Sequence, residues 1–238
     1  MAVYYAKMPT MIRLRRHRIL LSHFLIALTA FWQVSHPARA AVVFWDINGT
    51  STGASGGFQA AGTWDASNLF FNTDLTGGAL GTLSSWNAGD VLAFAAGSNA
   101  RGSYNVTVSG IQSIGGLLFE EGQLTLNGGT LQMASHSEFN VANALNATVQ
   151  SVIDGSFSIT KTGAGRLNLE GANTYTGNTI INAGILAISS DASLGMAPIA
   201  VVPDSLTFGG GALQITGTGN PVINSNRGIT INSGITGI

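Results

Sequence analysis

Gly165-Arg166-Leu167-Asn168-Leu169 and Gly184-Ile185-Leu186-Ala187-Ile188 stand nineteen residues apart, and their reading decides the fold. The same Gly-x-Leu-x-apolar unit recurs at Gly122–Leu126, Gly129–Met133 and Gly211–Ile215, with close relatives at Gly116–Phe119, Ser205–Phe208 and Gly228–Ile231. Alternate residues of an extended chain face opposite sides, so each unit reads as a short strand with one buried face. Leu167, Leu169, Leu186 and Ile188 are expected to point inward, and Asn168 and Ala187 outward. The bounding glycines supply turns with positive φ.

The spacing of these units points to a solenoid. Leu124 to Leu131 and Leu206 to Leu213 are each seven residues, Leu167 to Leu186 is nineteen and Leu186 to Leu206 is twenty. A strand and its corner fill about seven residues, and about three such sides close a coil of about twenty, within the range of stacked repeats. Backbone groups then pair with the coils on either side, and equivalent leucines and isoleucines stack within. An antiparallel sandwich also uses short strands, but its hairpins favour two-residue Asn-Gly turns, and only Asn48-Gly49 and Asn127-Gly128 occur. Asparagines instead populate the expected corners, at Asn168, Asn173, Asn178, Asn182, Asn220, Asn224, Asn226 and Asn232. The expected fold class is all-β: a right-handed parallel β-helix preceded by a cleavable N-terminal signal helix.

Composition agrees. With 32 glycines, 9% charged residues and no cysteine in 238 residues, the chain is neither a helical bundle nor a disulfide scaffold, and 45% hydrophobic residues argue against disorder. Six of the ten basic residues precede Ala41, while all eleven acids follow Ala40. Residues 41–238 therefore carry four basic against eleven acidic groups, a net charge of −7, which disfavours nucleic acid as a partner.

The early basic cluster belongs to a three-part export signal. Arg13 to Arg18 is basic, Ile19 to Val34 is apolar, and Ala38-Arg39-Ala40 places small residues before a cut at Ala41. The alternative is an uncleaved anchor, but Ser22, His23 and Gln33 interrupt a run already short for a bilayer. Met1, Met8 and Met11 are all available starts. The expected organisation is a signal peptide over 1–40, a Trp-rich cap with the first coils over 41–110, and β-helix repeats over 111–238, truncated at the C-terminus. The mature chain is not expected to span a membrane, and its open last coil is expected to favour end-to-end self-association.

Thr160 to Leu186 reads TKTGAGRLNLEGANTYTGNTIINAGIL. This stretch resembles the autotransporter-associated β-strand repeat of passenger β-helices, in its Lys161-x-Gly163-x-Gly165-x-Leu167 start, in Gly171-x-Asn173-x-Tyr175-x-Gly177 and in Asn182-x-Gly184-x-Leu186. Trp64, Trp86 and Ala88–Phe94 are similar, more loosely, to the region that precedes such repeats. The resemblance implies an exported, outer-membrane-associated or extracellular passenger, periplasmic when expressed as this fragment. It also implies a stalk or adhesin-like module without catalysis of its own, and a cell-surface or carbohydrate ligand. A complete autotransporter ends in a β-barrel, which this sequence does not reach.

No catalytic, cofactor-binding or metal-ligating residue is expected. His136 is the only histidine after Ala40 and reads as a solvated loop residue between Ser135 and Ser137. Glu120 and Glu121 read as strand neighbours on opposite faces, one carboxylate on the surface and one near a corner. The glycines at Gly163-Ala164-Gly165 and Gly217-Thr218-Gly219 lack the third glycine and following helix of a dinucleotide loop. Trp45, Trp64, Trp86, Phe44, Phe70 and Phe71 are expected to seal the first coil, the other reading being a carbohydrate-stacking platform. A polysaccharide-active β-helix enzyme, a lyase or hydrolase, is the alternative function. It would need Lys161, Arg166, Glu170 and Asp154 to project outward together on neighbouring coils.

Overall fold

The structure is a computed structural model and describes residues 40–49, 51–55, 57–219 and 221–232. The signal segment expected over 1–40 lies outside the described residues, apart from Ala40.

Period-two patterning yields strands almost throughout, and the one helical element among the described residues is the short 3-10 turn Asp191–Leu194. One sheet stacks Val42–Trp45, Val91–Phe94, Ile111–Phe119, Thr130–Val141, Ile159–Thr162, Thr179–Ile181, Val202–Phe208 and Arg227–Ile231 in parallel. A second sheet stacks Gly62–Trp64, Ser103–Val108, Gln123–Asn127, Asn146–Val149, Arg166–Leu169, Ile185–Ile188 and Ala212–Ile215, again all parallel. Each strand pairs with the strand one turn further on, and the chain makes a β-solenoid of about six turns. The long strands Ile111–Phe119 and Thr130–Val141 reach onto a third side, where Thr130, Leu131 and Gln132 pair with Val152, Ile153 and Asp154. The antiparallel pairs are confined to the first turn, where Phe71–Asn72 lies between Val42–Trp45 and Leu83–Ser84.

The interior is built of in-register rows. Val106, Leu126, Val149, Leu169 and Ile188 succeed one another across the second sheet, each at most 1% exposed. Burying each such side chain contributes roughly 1.5–3 kcal/mol, and the contacts come from neighbouring turns, so no turn is stable alone. Leu167 and Leu186 stack in the next inward row, as expected. Ala187 departs from the expectation: it lies on the outer face yet is buried. Its register partners Asn168 and Gln214 are both larger, and Arg166 reaches over it, donating to Asn168 Oδ1 at 2.7 Å and to Gln214 Oε1. Asn168, expected at a corner, stands within the strand Arg166–Leu169.

Of the aromatic residues of the first turns, Trp45, Trp64 and Phe71 are core, and Phe44, Phe70 and Trp86 are half-buried against them. Trp45 and Trp64 are fully buried, and Trp64 meets Trp86 edge-on at 4.7 Å while Trp45 meets Phe71 at 5.7 Å. Buried in this way, neither tryptophan is a platform on which a sugar could stack. Gly184 shows why corners need glycine: its φ is +65°, and a Cβ there would lie 2.3 Å from Gly165 O, in the turn before.

Candidate functional site

The residues that a lyase would need do not come together. Lys161 alternates in phase with Ile159, so its side chain enters the solenoid, between the register partners Phe139 and Ile181. It is fully buried, and its ammonium donates to the carbonyls of Thr162, Gly163 at 2.8 Å and Ala183 at 3.1 Å. Burial pushes its pKa down to about 8. Arg166 lies outward on the second sheet, where it covers Ala187. Asp154 stands on the third side and accepts a hydrogen bond from Thr174 Oγ1 at 2.9 Å, and Glu170 accepts one from Gln150 at 3.0 Å. The amine of the set faces the interior while the other three are spread over two sides.

His136 is not in a loop. It sits within the strand Thr130–Val141, its Nδ1 accepts the Ser158 N–H at 3.1 Å, and its ring meets Phe157 edge-on at 5.5 Å. It thereby ties one turn to the next. Glu120 and Glu121 follow the end of the strand Ile111–Phe119, and both backbone N–H groups donate to Phe94 O, at 2.6 and 3.0 Å. Backbone and burial set their chemistry: desolvation raises the pKa of both carboxyls, and Glu121 also accepts the Ala100 N–H at 3.0 Å.

Two buried polar clusters connect successive turns. Asn173 accepts the Ile153 N–H at 2.9 Å and donates to Ser193 O at 2.7 Å. Tyr175, fully buried, shares a 2.7 Å hydrogen bond with Thr179 Oγ1. Below it, Arg227 pairs with Asp191 at 2.8 Å and donates to Gly195 O at 2.7 Å. Burial works to raise the Asp191 pKa, but its bonds from Arg227 and the Asn224 N–H outweigh this and hold it below the usual value.

Over the first turns of the second sheet the outward surface is polar. On the outer face of the second sheet, Ser103 stands beside Gln123, and Asn105 beside Thr125 and Thr148, in register. With Gln59, Ala61 and Asn146 they line a hollow of about 480 Å³. A second hollow, of about 570 Å³, is lined by Asn48, Phe58, Ser98, Asn99 and Arg101 among others.

The coil that holds Lys161, Asn173 and Tyr175 carries a recognisable pattern, since residues 159–188 match the passenger-associated-transport-repeat family. The chain contains a repeat of the autotransporter passenger family. Over 162 residues it is 34% identical to the adhesin BmaC autotransporter of Brucella suis biovar 1 (strain 1330). That alignment covers 67% of this chain and 4% of the relative, so the chain corresponds to a small part of that protein's length. No solved structure matches. In three dimensions the passenger repeat is about one and a half turns, from Ile159–Thr162 through Arg166–Leu169 and Thr179–Ile181 to Ile185–Ile188. Its polar residues at 161, 173 and 175 all point inward, where each bonds groups of its own or an adjacent turn. The sequence signal for Lys161 was its phase with Ile159, which outranks the usual rule that lysine is exposed.

Proposed function

We propose that the chain is an exported passenger segment with an adhesin-like role at the cell surface, without catalytic activity of its own. The observation that carries this reading is the passenger repeat at 159–188 embedded in a continuous solenoid. The interior is filled by stacked side chains, and the outward rows hold no cluster suited to general acid–base work among the described residues: the described histidine is engaged with Ser158, and the four groups of the lyase reading are dispersed. In this reading the winding is right-handed, the first forty residues direct export, and cleavage leaves Ala41 at the N-terminus.

The test is surface display. The chain is fused to a translocator barrel in a non-adherent bacterium, and intact cells are probed by antibody and scored for attachment to epithelial monolayers. Antibody-positive cells that attach several times more than cells carrying the barrel alone support the proposal. Displayed cells that attach no better overturn the adhesin-like role, and mass spectrometry finding Arg13 to Ala40 on the exported product overturns the cleavage.

A further inference from the structure

We infer that the outer face of the second sheet over its first turns, together with the exposed Phe58 on the segment hydrogen-bonded to Gly102, is a binding site for a neutral oligosaccharide. This rests on the adhesin-like reading above and deepens it by naming the ligand class and the residues.

The hollow on this face is lined by the polar residues Gln59, Ser103, Asn105, Gln123, Thr125, Asn146 and Thr148, together with Ala61, Tyr104 and Leu124. Its lining holds no Asp, Glu, Lys or Arg. A surface that selected phosphate, sulfate or uronate would need a cation there, and one that selected an amine would need an acid. Amides and hydroxyls instead both donate and accept, which is the hydrogen-bonding character of a sugar hydroxyl.

Their arrangement is as telling as their type. Parallel strands stand about 4.8 Å apart, so equivalent polar groups repeat at that interval along the solenoid axis, close to the length of one pyranose ring. Asn105, Thr125 and Thr148 form one such row, and Ser103 and Gln123 belong to the next. Gln123 accepts from the Asn146 N–H and Thr148 accepts from Asn168, while among the described residues the side chains of Ser103, Asn105 and Thr125 make no hydrogen bond. Those groups are left for a ligand.

Phe58 supplies the apolar contact. It is 74% exposed, unlike the buried rings of Trp45, Trp64 and Phe71. Its carbonyl accepts the Gly102 N–H at 2.7 Å, and a Cβ on Gly102 would come within 2.9 Å of that oxygen. The chain on which Phe58 stands is thus seated against the residue next to Ser103. Phe58 lines the second hollow with Asn48 and Asn99, and the one charged residue among its described lining, Arg101, donates through Nε to Ser98 O at 2.8 Å. An aromatic face beside a ladder of amides and hydroxyls matches a sugar chain, which offers C–H faces and hydroxyl edges.

The purified full chain is titrated with cellohexaose, maltohexaose, mannohexaose and chitohexaose, and with heparin hexasaccharide and hexagalacturonate as charged probes. At least one neutral hexasaccharide is expected to bind, and more tightly than either charged probe. Phe58→Ala should weaken it by roughly three- to tenfold. Asn105→Glu should abolish it, while Gln132→Glu, an exposed change on the third side, should leave it unchanged. All three positions are exposed, and matching thermal melts check that folding is retained. Binding of no neutral probe, preference for a charged one, or indifference to both Phe58→Ala and Asn105→Glu overturns the inference. The two readings separate on displayed cells: adhesion that survives Asn105→Glu sinks the glycan site alone, whereas absent adhesion of wild-type cells sinks the adhesin-like role.

Discussion

Replacing Lys161 by methionine keeps an unbranched side chain of similar volume in the row with Phe139 and Ile181 but removes the ammonium. Two effects oppose each other at neutral pH. The variant strips one donor from three carbonyls, at Thr162, Gly163 and Ala183, and each such bond to a charged group contributes about 1.5–3 kcal/mol. It also relieves the burial of a charge, and exchanging buried charges for apolar groups of the same size is often close to neutral. The net loss at pH 7 should therefore be small, about 1–2 kcal/mol. The decisive quantity is the pH dependence. Burial brings the folded pKa down to about 8, against 10.5 for an ordinary lysine. Between those values the unfolded chain binds more protons than the folded one, so stability rises with pH across this window and the burden of the buried charge is fully present below pH 8. At about 1.4 kcal/mol per pH unit the gain reaches at most about 3 kcal/mol by pH 10. Urea denaturation of wild type and Lys161→Met at pH 7, 8, 9 and 10 measures it, because tyrosine titration is common to both chains and cancels in the difference. Wild type should draw ahead of the variant as pH rises. Parallel curves, or a wild type that loses ground, would refute the dry, carbonyl-bound position of this amine.

Three further outcomes follow from the interior. Leu186→Asp places a carboxylate between Leu167 and Leu213 and should cost more than about 4 kcal/mol, so an unchanged thermal melt would sink the inward assignment. Asn173→Ala orphans the Ile153 N–H and Ser193 O, both buried, and should cost about 2–4 kcal/mol with new protease sensitivity between 173 and 195; resistance equal to wild type counts against the ladder. Asp191 has a depressed pKa in the folded chain, so its contribution is present above the ordinary carboxylate range and is lost as pH falls through the folded value. Asp191→Asn should thus narrow the stability difference between pH 6 and pH 3, and a variant with the wild-type acid sensitivity would remove Asp191 from that account.

The fold was legible because period two and period twenty are both written in the units around Leu124, Leu167, Leu186 and Leu213. Burial follows from alternation alone wherever the outward residue is polar and the inward one aliphatic. Ala187 escaped because alternation predicts direction, not cover, and its cover comes from Arg166 and Gln214, twenty-one residues before it and twenty-seven after it. Lys161 was read by its charge when its phase carried the information. The polar hollow was hidden for a related reason: Ser103, Asn105, Gln123, Thr125 and Thr148 look like ordinary solvated strand positions one at a time, and only the register of successive turns places them side by side.

That register also shows where variation is tolerated. Leu169 and Ile188 are neighbours across nineteen residues, while Ile188 and Ile215 are neighbours across twenty-seven, and both pairs are aligned. The longer turn contains the 3-10 turn Asp191–Leu194 and the segment after it, where Met196, Ile199 and Val201 are exposed. Arg227 closes this turn from the strand beyond, through Asp191 and Gly195. A solenoid absorbs such an insertion because each row needs only its own neighbours, and a loop at a corner changes neither the pairing nor the stacking on either side. Interior positions are fixed by three constraints at once: volume, phase and the polar groups of adjacent turns. The exposed residues of the outward rows and of the corner insertions answer to none of these, apart from those tied by Arg227 and Arg166. In the adhesin-like role proposed above, specificity would therefore reside in which exposed polar residues face out and which corners are lengthened, and substitutions of those exposed residues should alter recognition while leaving thermal stability within about 0.5 kcal/mol.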